Sequence, residues 1–179
     1  MKVNKTLVIF THPNLEESDI NKRWIKELQK YPDRYHIHDL YSEYPNEEIN
    51  IEKEQRLIET YNKIIFQFPF YWFNCPPLFK KWLDDVLTYG WAYGSKSGYK
   101  MGNKKIALAI SAGIDEKEYS IDGKYKYTLK QLLAPFELTF EYIKADYRGF
   151  FTYYGIELNN SEELVEKSVP LYLDFIEKI

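Results

Sequence analysis

The chain has 179 residues, enough for one domain with a sizeable core and short for two. A net charge of −3 gives no broad attraction for nucleic acid or an anionic membrane, and the single cysteine, Cys75, excludes an internal disulfide framework and an all-cysteine zinc site. The first apolar run is too short for a signal segment and no run approaches the roughly 18 residues of a membrane span, so a soluble, cytoplasmic protein without membrane insertion is expected.

Thr6 to Phe10 is short, β-branched and nearly continuous in apolar residues, which predicts a buried strand. A polar turn follows over 11–19. Ile20, Trp24 and Leu28 then recur at a spacing of four, the stripe of an amphipathic helix that Ser18 would cap and Pro32 would end. A second strand is expected over Tyr35–Leu40, with Tyr35 and Ile37 on one face, and then a loop from Tyr41 to Asn50. Ile51, Leu57, Ile58 and Tyr61 predict a helix, and Ile64 to Phe68 a buried strand that ends at Pro69.

Pro77 to Leu87 carries two apolar rows, Leu78/Trp82/Val86 and Phe79/Leu83, and should be helical. Tyr89 to Gly102 is expected as a long ordered loop. Ile106 to Ile110 is the next central strand, stopping at Ser111-Ala112-Gly113. A helix is predicted over Tyr127–Phe136, a last strand within Phe140–Phe150, and a closing helix over Ser161–Ile179. Asn160 with Glu163 is expected to cap that helix, and Pro170 to kink it or lift its first half. Alternating strands and helices with about five strands predict an α/β fold: a doubly wound, five-stranded parallel sheet in three layers, formed as one domain over 1–179.

In such a sheet ligands bind beyond the C-terminal ends of the central strands, where three segments should meet. The first, 11–21, has neither the dinucleotide-binding glycine pattern nor a Walker sequence, yet it sets His12, Ser18 and Asn21 beside a helix N-terminus, a place suited to a phosphate. An ordinary capped turn is the competing reading. In the anion reading Glu16, Glu17 and Asp19 must face solvent. The second segment is Pro69-Phe70-Tyr71-Trp72-Phe73-Asn74. Four successive aromatic side chains diverge too much to enter one core, so some should line a groove for a planar heterocycle or cover a dimer interface. The third, Ser111-Ala112-Gly113-Ile114 with Tyr119 beyond it, lets backbone approach a ligand and supplies a phenol. His36 and His38 lack partners for a convincing metal site, so no metal is expected.

The run Gln67-Phe68-Pro69-Phe70-Tyr71-Trp72-Phe73-Asn74-Cys75-Pro76-Pro77-Leu78-Phe79-Lys80-Lys81-Trp82-Leu83-Asp84, continued by Thr88-Tyr89-Gly90-Trp91-Ala92-Tyr93, resembles the flavodoxin-like NAD(P)H:quinone oxidoreductases, in particular bacterial general-stress and potassium-efflux ancillary members. Thr11-His12-Pro13 with Ser18 and Asn21 is similar to that family's phosphate loop. The resemblance implies FMN, with FAD as the alternative, held by His12, Ser18, Ile20 and Asn21 at the phosphate and ribityl end. Pro69, Phe70, Tyr71, Trp72 and Phe73 would wall the ring system, and Ser111, Ala112, Gly113 and Tyr119 would meet its other edge. Tyr119 is implied as the catalytic phenol, and Tyr125 stands where animal relatives carry a histidine. Ile114 stands where the family often has a second glycine. NAD(P)H, a quinone-like acceptor and a homodimer are the implied partners. A regulatory flavoprotein associated with a potassium-efflux protein and a flavodoxin-type electron carrier are the alternatives.

Overall fold

A computed structural model describes residues 3–96, 98–158 and 161–179. Five parallel strands, β1 (Val3–Phe10), β2 (Tyr35–Asp39), β3 (Tyr61–Pro69), β4 (Lys105–Ser111) and β5 (Asp146–Tyr153), form one sheet in the order β2-β1-β3-β4-β5. This is the doubly wound α/β arrangement expected from the sequence. Strict alternation divides the sheet into two cores. Val8, Ile65, Ala107 and Ala109 face helices α1 (Asp19–Leu28) and α7 (Glu162–Lys178). Leu7, Ile9, Ile64, Phe66, Phe68, Ile106, Leu108 and Ile110 face α3 (Ile51–Thr60), α4 (Pro77–Val86) and α6 (Ala134–Tyr142).

The small side chains of Ala107 and Ala109 leave room for large ones from the helices above. Trp24 of α1 and Tyr172 of α7 fill it, with ring centroids 4.6 Å apart. Full burial of rings this size contributes about 1.5–3 kcal/mol each. On the other face Phe66 stacks on Phe79 of α4 at 4.8 Å and on Phe140 of α6 at 5.6 Å.

Three expectations need correction. Residues 41–50 are not wholly loop: α2 (Leu40–Glu43) forms there because the Asp39 side chain accepts from the N–H groups of Tyr41 and Ser42. The helix expected over Tyr127–Phe136 is two pieces, α5 (Leu129–Leu132) and α6, since Pro135 has no N–H to continue the ladder and instead begins the second piece. Helix α6 runs on to Tyr142, so Phe140 is a helical core residue and the last strand starts at Asp146. Pro170 lies inside α7, which runs as one helix from Glu162 to Lys178; it leaves the Glu166 carbonyl without a helical donor, on a helix face where Glu166 is exposed to water. Ser161 caps α7 by accepting from the Leu164 N–H. Asn160, expected in that role, lies outside the described residues. No described helix is long and apolar enough to cross a membrane.

Candidate active site

The chain leaves β1 for α1 on one face of the sheet and leaves β3 for α4 on the other. The two loops therefore diverge above adjacent strand ends and open a crevice between them, the switch point at which ligands bind in open α/β sheets.

On the β1 side, Ser18 caps α1 and is buried together with His12 and Asn21. The Ser18 Oγ accepts from the Asn21 N–H at 3.4 Å and from the Asn21 side-chain amide at 3.0 Å. That amide also donates to the Ser111 Oγ at 2.8 Å, which ties the β1 loop to the end of β4. Ile20 contributes no side chain here, because it packs into the α1/α7 core. The His12 Nδ1 accepts from the Asn14 N–H at 3.1 Å. Burial, outweighing nearby Asp39 and Glu17, lowers the His12 pKa, so the ring is neutral near pH 7. Its single proton then sits on Nε2, which makes His12 a fixed donor. The N–H groups of His12, Leu15 and Glu16 make no backbone hydrogen bond among the described residues. Glu16, Glu17 and Asp19 are exposed, as an anion site requires, and Glu16 pairs with Lys22.

On the β3 side the chain makes a closed turn. Tyr71 donates to the Asn74 carbonyl at 3.0 Å and Asn74 to the Tyr71 carbonyl at 2.8 Å. Trp72 and Phe73 occupy the two central positions with φ of 46° and 61°. Side chains rarely accept that left-handed geometry, which suits Gly or Asn and costs about 1–3 kcal/mol per residue. The turn spreads the four rings. Phe70 is half-buried, Tyr71 and Phe73 are partly exposed, and Trp72 is 94% exposed. Phe70 donates its N–H to the Ser111 carbonyl and Cys75 its own to the Asn74 side chain, while those of Trp72 and Phe73 make no backbone hydrogen bond among the described residues.

The third wall comes from beyond β4. Tyr119, 8% exposed, packs against Phe70, Tyr125 and Tyr154 with centroids at 6.0, 5.0 and 5.8 Å. Tyr125 meets Phe73 edge-on at 5.0 Å. Burial, with smaller contributions from Tyr125, Tyr154 and Glu157, pushes the Tyr119 phenol up to about 12. It is a neutral donor at physiological pH. Phe70, Tyr71, Trp72, Phe73, Gly113, Ile114, Tyr119, Tyr125 and Glu157 enclose a groove of about 540 Å³, within the range of small-molecule sites. Pro69 and Ala112 are buried beneath it, and Ala112 donates its N–H to the Tyr153 carbonyl. Gly113 admits Glu157 directly onto its backbone, since a Cβ there would lie 2.4 Å from the Glu157 carboxyl carbon. Glu157 and Tyr154 come from the β5–α7 loop, a segment that carries no local functional signal.

The remaining candidates are occupied elsewhere. His36 hydrogen-bonds Tyr61, and His38 shares its Nε2 between both oxygens of Glu54, at 2.9 and 3.1 Å. Cys75 is buried, and desolvation pushes its thiol up to about 12. It is therefore a thiol and not a nucleophile at neutral pH. Native protein at pH 8 should react negligibly with a disulfide reagent such as DTNB, and one thiol per chain should appear on unfolding. Rapid native labelling would contradict the buried assignment.

A family described as having a flavodoxin-like fold matches residues 4–173. A Bacillus subtilis protein, the uncharacterized NAD(P)H oxidoreductase YrkL, is 46% identical over 172 residues, covering 96% of this chain and 97% of that one. General stress protein 14 of Treponema denticola, solved in complex with FMN, superposes with a TM-score of 0.91 at 44% identity, over 97% of this chain and 98% of that one. The glutathione-regulated potassium-efflux ancillary protein KefG of Cronobacter sakazakii is 38% identical over 135 residues, 75% of this chain and 72% of that one. The chain belongs to the flavodoxin-like NAD(P)H oxidoreductase family.

Proposed function

We propose that this protein is an FMN-dependent oxidoreductase that passes hydride from NAD(P)H to a quinone or similarly flat acceptor, in two half-reactions that use one groove in turn. The observation that carries this reading is the meeting, at one switch point, of an anion-binding loop and an aromatic groove. The residues fit the group. The N–H groups of His12, Leu15 and Glu16, the His12 Nε2 proton and the N-terminal turn of α1 suit a phosphate. Ser18 and Ser111 suit the hydroxylated tail. Rings at 70–73 flank a planar body, and the N–H groups of Trp72 and Phe73 suit its polar edge.

When bound, FMN supplies the hydride-accepting and hydride-donating ring. The protein's work is then positioning, exclusion of water and charge stabilisation. Tyr119 takes the catalytic role in this reading: a neutral phenol held by three aromatic neighbours, it would offer a fixed hydrogen-bond donor to the carbonyl side of the bound ring, where negative charge would develop. Tyr125, half-exposed and packed against Tyr119, lines the same groove and has the lesser role. The flat walls select shape over functional group, which favours a broad acceptor range.

A second copy of the chain completes the assembly in this reading. Trp72 at the rim and the linked rings of Tyr89, Tyr93 and Tyr142 leave an exposed aromatic surface of the kind a homodimer covers. The likeness to KefG supports a second role, as a regulatory flavoprotein docked on a potassium-efflux protein. The test is an absorbance spectrum of FMN-reconstituted protein, followed anaerobically during addition of NADH or NADPH and then a quinone. Flavin bands that bleach and return establish the proposed cycle. Bound flavin that neither nucleotide reduces favours the regulatory role, and protein that retains no flavin refutes the cofactor assignment.

A further inference from the structure

Beneath the groove a chain of buried side chains runs from α7 to the ligand loops. The Tyr172 hydroxyl donates to the Gln67 Oε1 at 2.7 Å, and the Gln67 Nε2 donates to the Asn21 Oδ1 at 3.2 Å. The Asn21 Nδ2 then donates to both Ser18 and Ser111. Tyr172, Gln67 and Asn21 are all 0% exposed, so bulk water does not compete for the links between them. The arrangement follows from strand alternation. Gln67 lies on the same face as Ile65, toward α1 and α7, and the register sets Pro69 beside Ser111 one step further along.

A polar side chain in mid-strand, away from solvent, is stabilising only when both ends of its amide are bonded. Here they are, and the chain has a direction. Each amide presents a carbonyl to one neighbour and an NH₂ to the next, so fixing the donor at one end orders every link. We propose that Gln67 and Tyr172 are positioning residues that orient Asn21 so that the hydroxyl protons of Ser18 and Ser111 point outward, as ready donors to the phosphate-bearing tail of the flavin. With Tyr172 donating, Asn21 turns its NH₂ toward both serine oxygens. Those oxygens accept from within, and their own protons are left for a ligand. In the reverse direction both serines would spend their protons on the Asn21 carbonyl and offer an anion only lone pairs. Tyr172 holds the donating direction because its desolvated phenol stays protonated and its hydroxyl proton has no acceptor other than the Gln67 Oε1 among the described residues. Helix α7, remote from the groove surface, thereby sets the chemistry of the two loops.

This inference rests on the FMN reading, and its test separates the two. Flavin-free protein would be titrated with FMN, by quenching of flavin fluorescence, as wild type, Tyr172→Phe, Ser168→Ala, Ser18→Ala/Ser111→Ala and the triple variant. Ser168 accepts from the Trp24 Nε1 at 2.8 Å and donates to the Val165 carbonyl at 2.6 Å, in the same helix interface but outside the chain, so it reports the generic loss of buried hydrogen bonding there. Tyr172→Phe should weaken FMN binding about tenfold. Ser168→Ala should change it less than twofold, although thermal melting of the flavin-free proteins falls by a similar amount in both. In the double-serine background Tyr172→Phe should have no further effect on affinity, because its route of action is gone. Equal effects of Tyr172→Phe in both backgrounds, or an effect matched by Ser168→Ala, would overturn the relay and leave the cofactor assignment standing. Wild type that binds no FMN would overturn both.

Discussion

Replacing Tyr119 by phenylalanine should lower turnover about a hundredfold while leaving the flavin content of the purified protein unchanged. The magnitude is that of removing one fixed hydrogen-bond donor from a site where charge develops. The substitution isolates the hydroxyl because the ring is held independently of it, between Phe70, Tyr125 and Tyr154. The side chain is 8% exposed, so a phenylalanine ring fills the same space and the groove keeps its shape. Burial pushes the phenol up to about 12. Its donating form thus persists through the neutral and mildly alkaline range, and wild-type turnover should show no Tyr119 ionisation below about pH 11. Tyr125→Phe should cost only a few-fold, its ring being half-exposed where that of Tyr119 is buried. Single-turnover reduction by NAD(P)H, with flavin content read from the same spectrum, checks both variants. Parallel loss of flavin and turnover in Tyr119→Phe would sink the catalytic assignment and make the residue part of the binding wall.

What could be read from sequence, and what could not, follows the range of the interactions involved. Strands β1, β3 and β4 announce themselves because burial on both faces leaves continuous apolar runs, and Ser18 is legible because an N-cap acts over three residues. The site's three segments could be located without coordinates for the same reason: each directly follows a strand end. Strand β5 has half-buried residues on both faces at the sheet edge, so its pattern is weak, and the stretch expected to hold it, Phe140–Phe150, begins inside what is α6. The break at Leu133–Ala134 did have a local sign, Pro135, whose missing N–H outweighs the apolar spacing on either side. Pro170 shows the converse. The same defect is tolerated in α7 because the orphaned carbonyl belongs to an exposed residue and the helix is anchored by Val165, Val169, Tyr172 and Ile176 on its inner face. The distribution of the aromatic run was only half legible. Divergence of the side chains could be argued from their succession, but not the left-handed turn that carries Trp72 and Phe73, residues with no intrinsic preference for it. Gln67, Tyr172 and Glu157 were silent for a different reason. Their partners lie 46, 105 and, for the Glu157–Gly113 contact, several tens of residues away, and nothing local distinguishes them from ordinary core or surface positions.

Glu54 should be the most costly single position outside the groove. It is 0% exposed, and its carboxylate accepts from His38, from the Tyr44 hydroxyl at 2.6 Å and from the Trp82 Nε1 at 2.8 Å. These donors come from β2, from the residue ending α2 and from α4, so one carboxylate ties three elements to α3. Burial alone would raise its pKa, but the hydrogen bonds from His38, Tyr44 and Trp82, with the His38 field, outweigh that and hold it below its ordinary 4.5. Glu54→Ala removes the acceptor and leaves three buried donors unmet, for an expected loss of about 3–5 kcal/mol. In a chain of this size that lowers the melting temperature by roughly 10 °C. The pH dependence has a definite sign. A carboxyl whose folded pKa is depressed binds protons more readily when unfolded, so its stabilisation is complete above about pH 4.5 and is lost as pH falls through the lower folded value. Urea unfolding of wild type and Glu54→Gln from pH 3 to pH 7 would show it. The variant should be less stable at pH 7, and its stability should fall less steeply below pH 4.5. Its FMN affinity should stay within about twofold of wild type, because no group in the Glu54 cluster reaches the Ser18–Asn21–Ser111 site. An unchanged acid slope would mean that Glu54 is already protonated in the folded protein, with His38, Tyr44 and Trp82 held around a neutral acid.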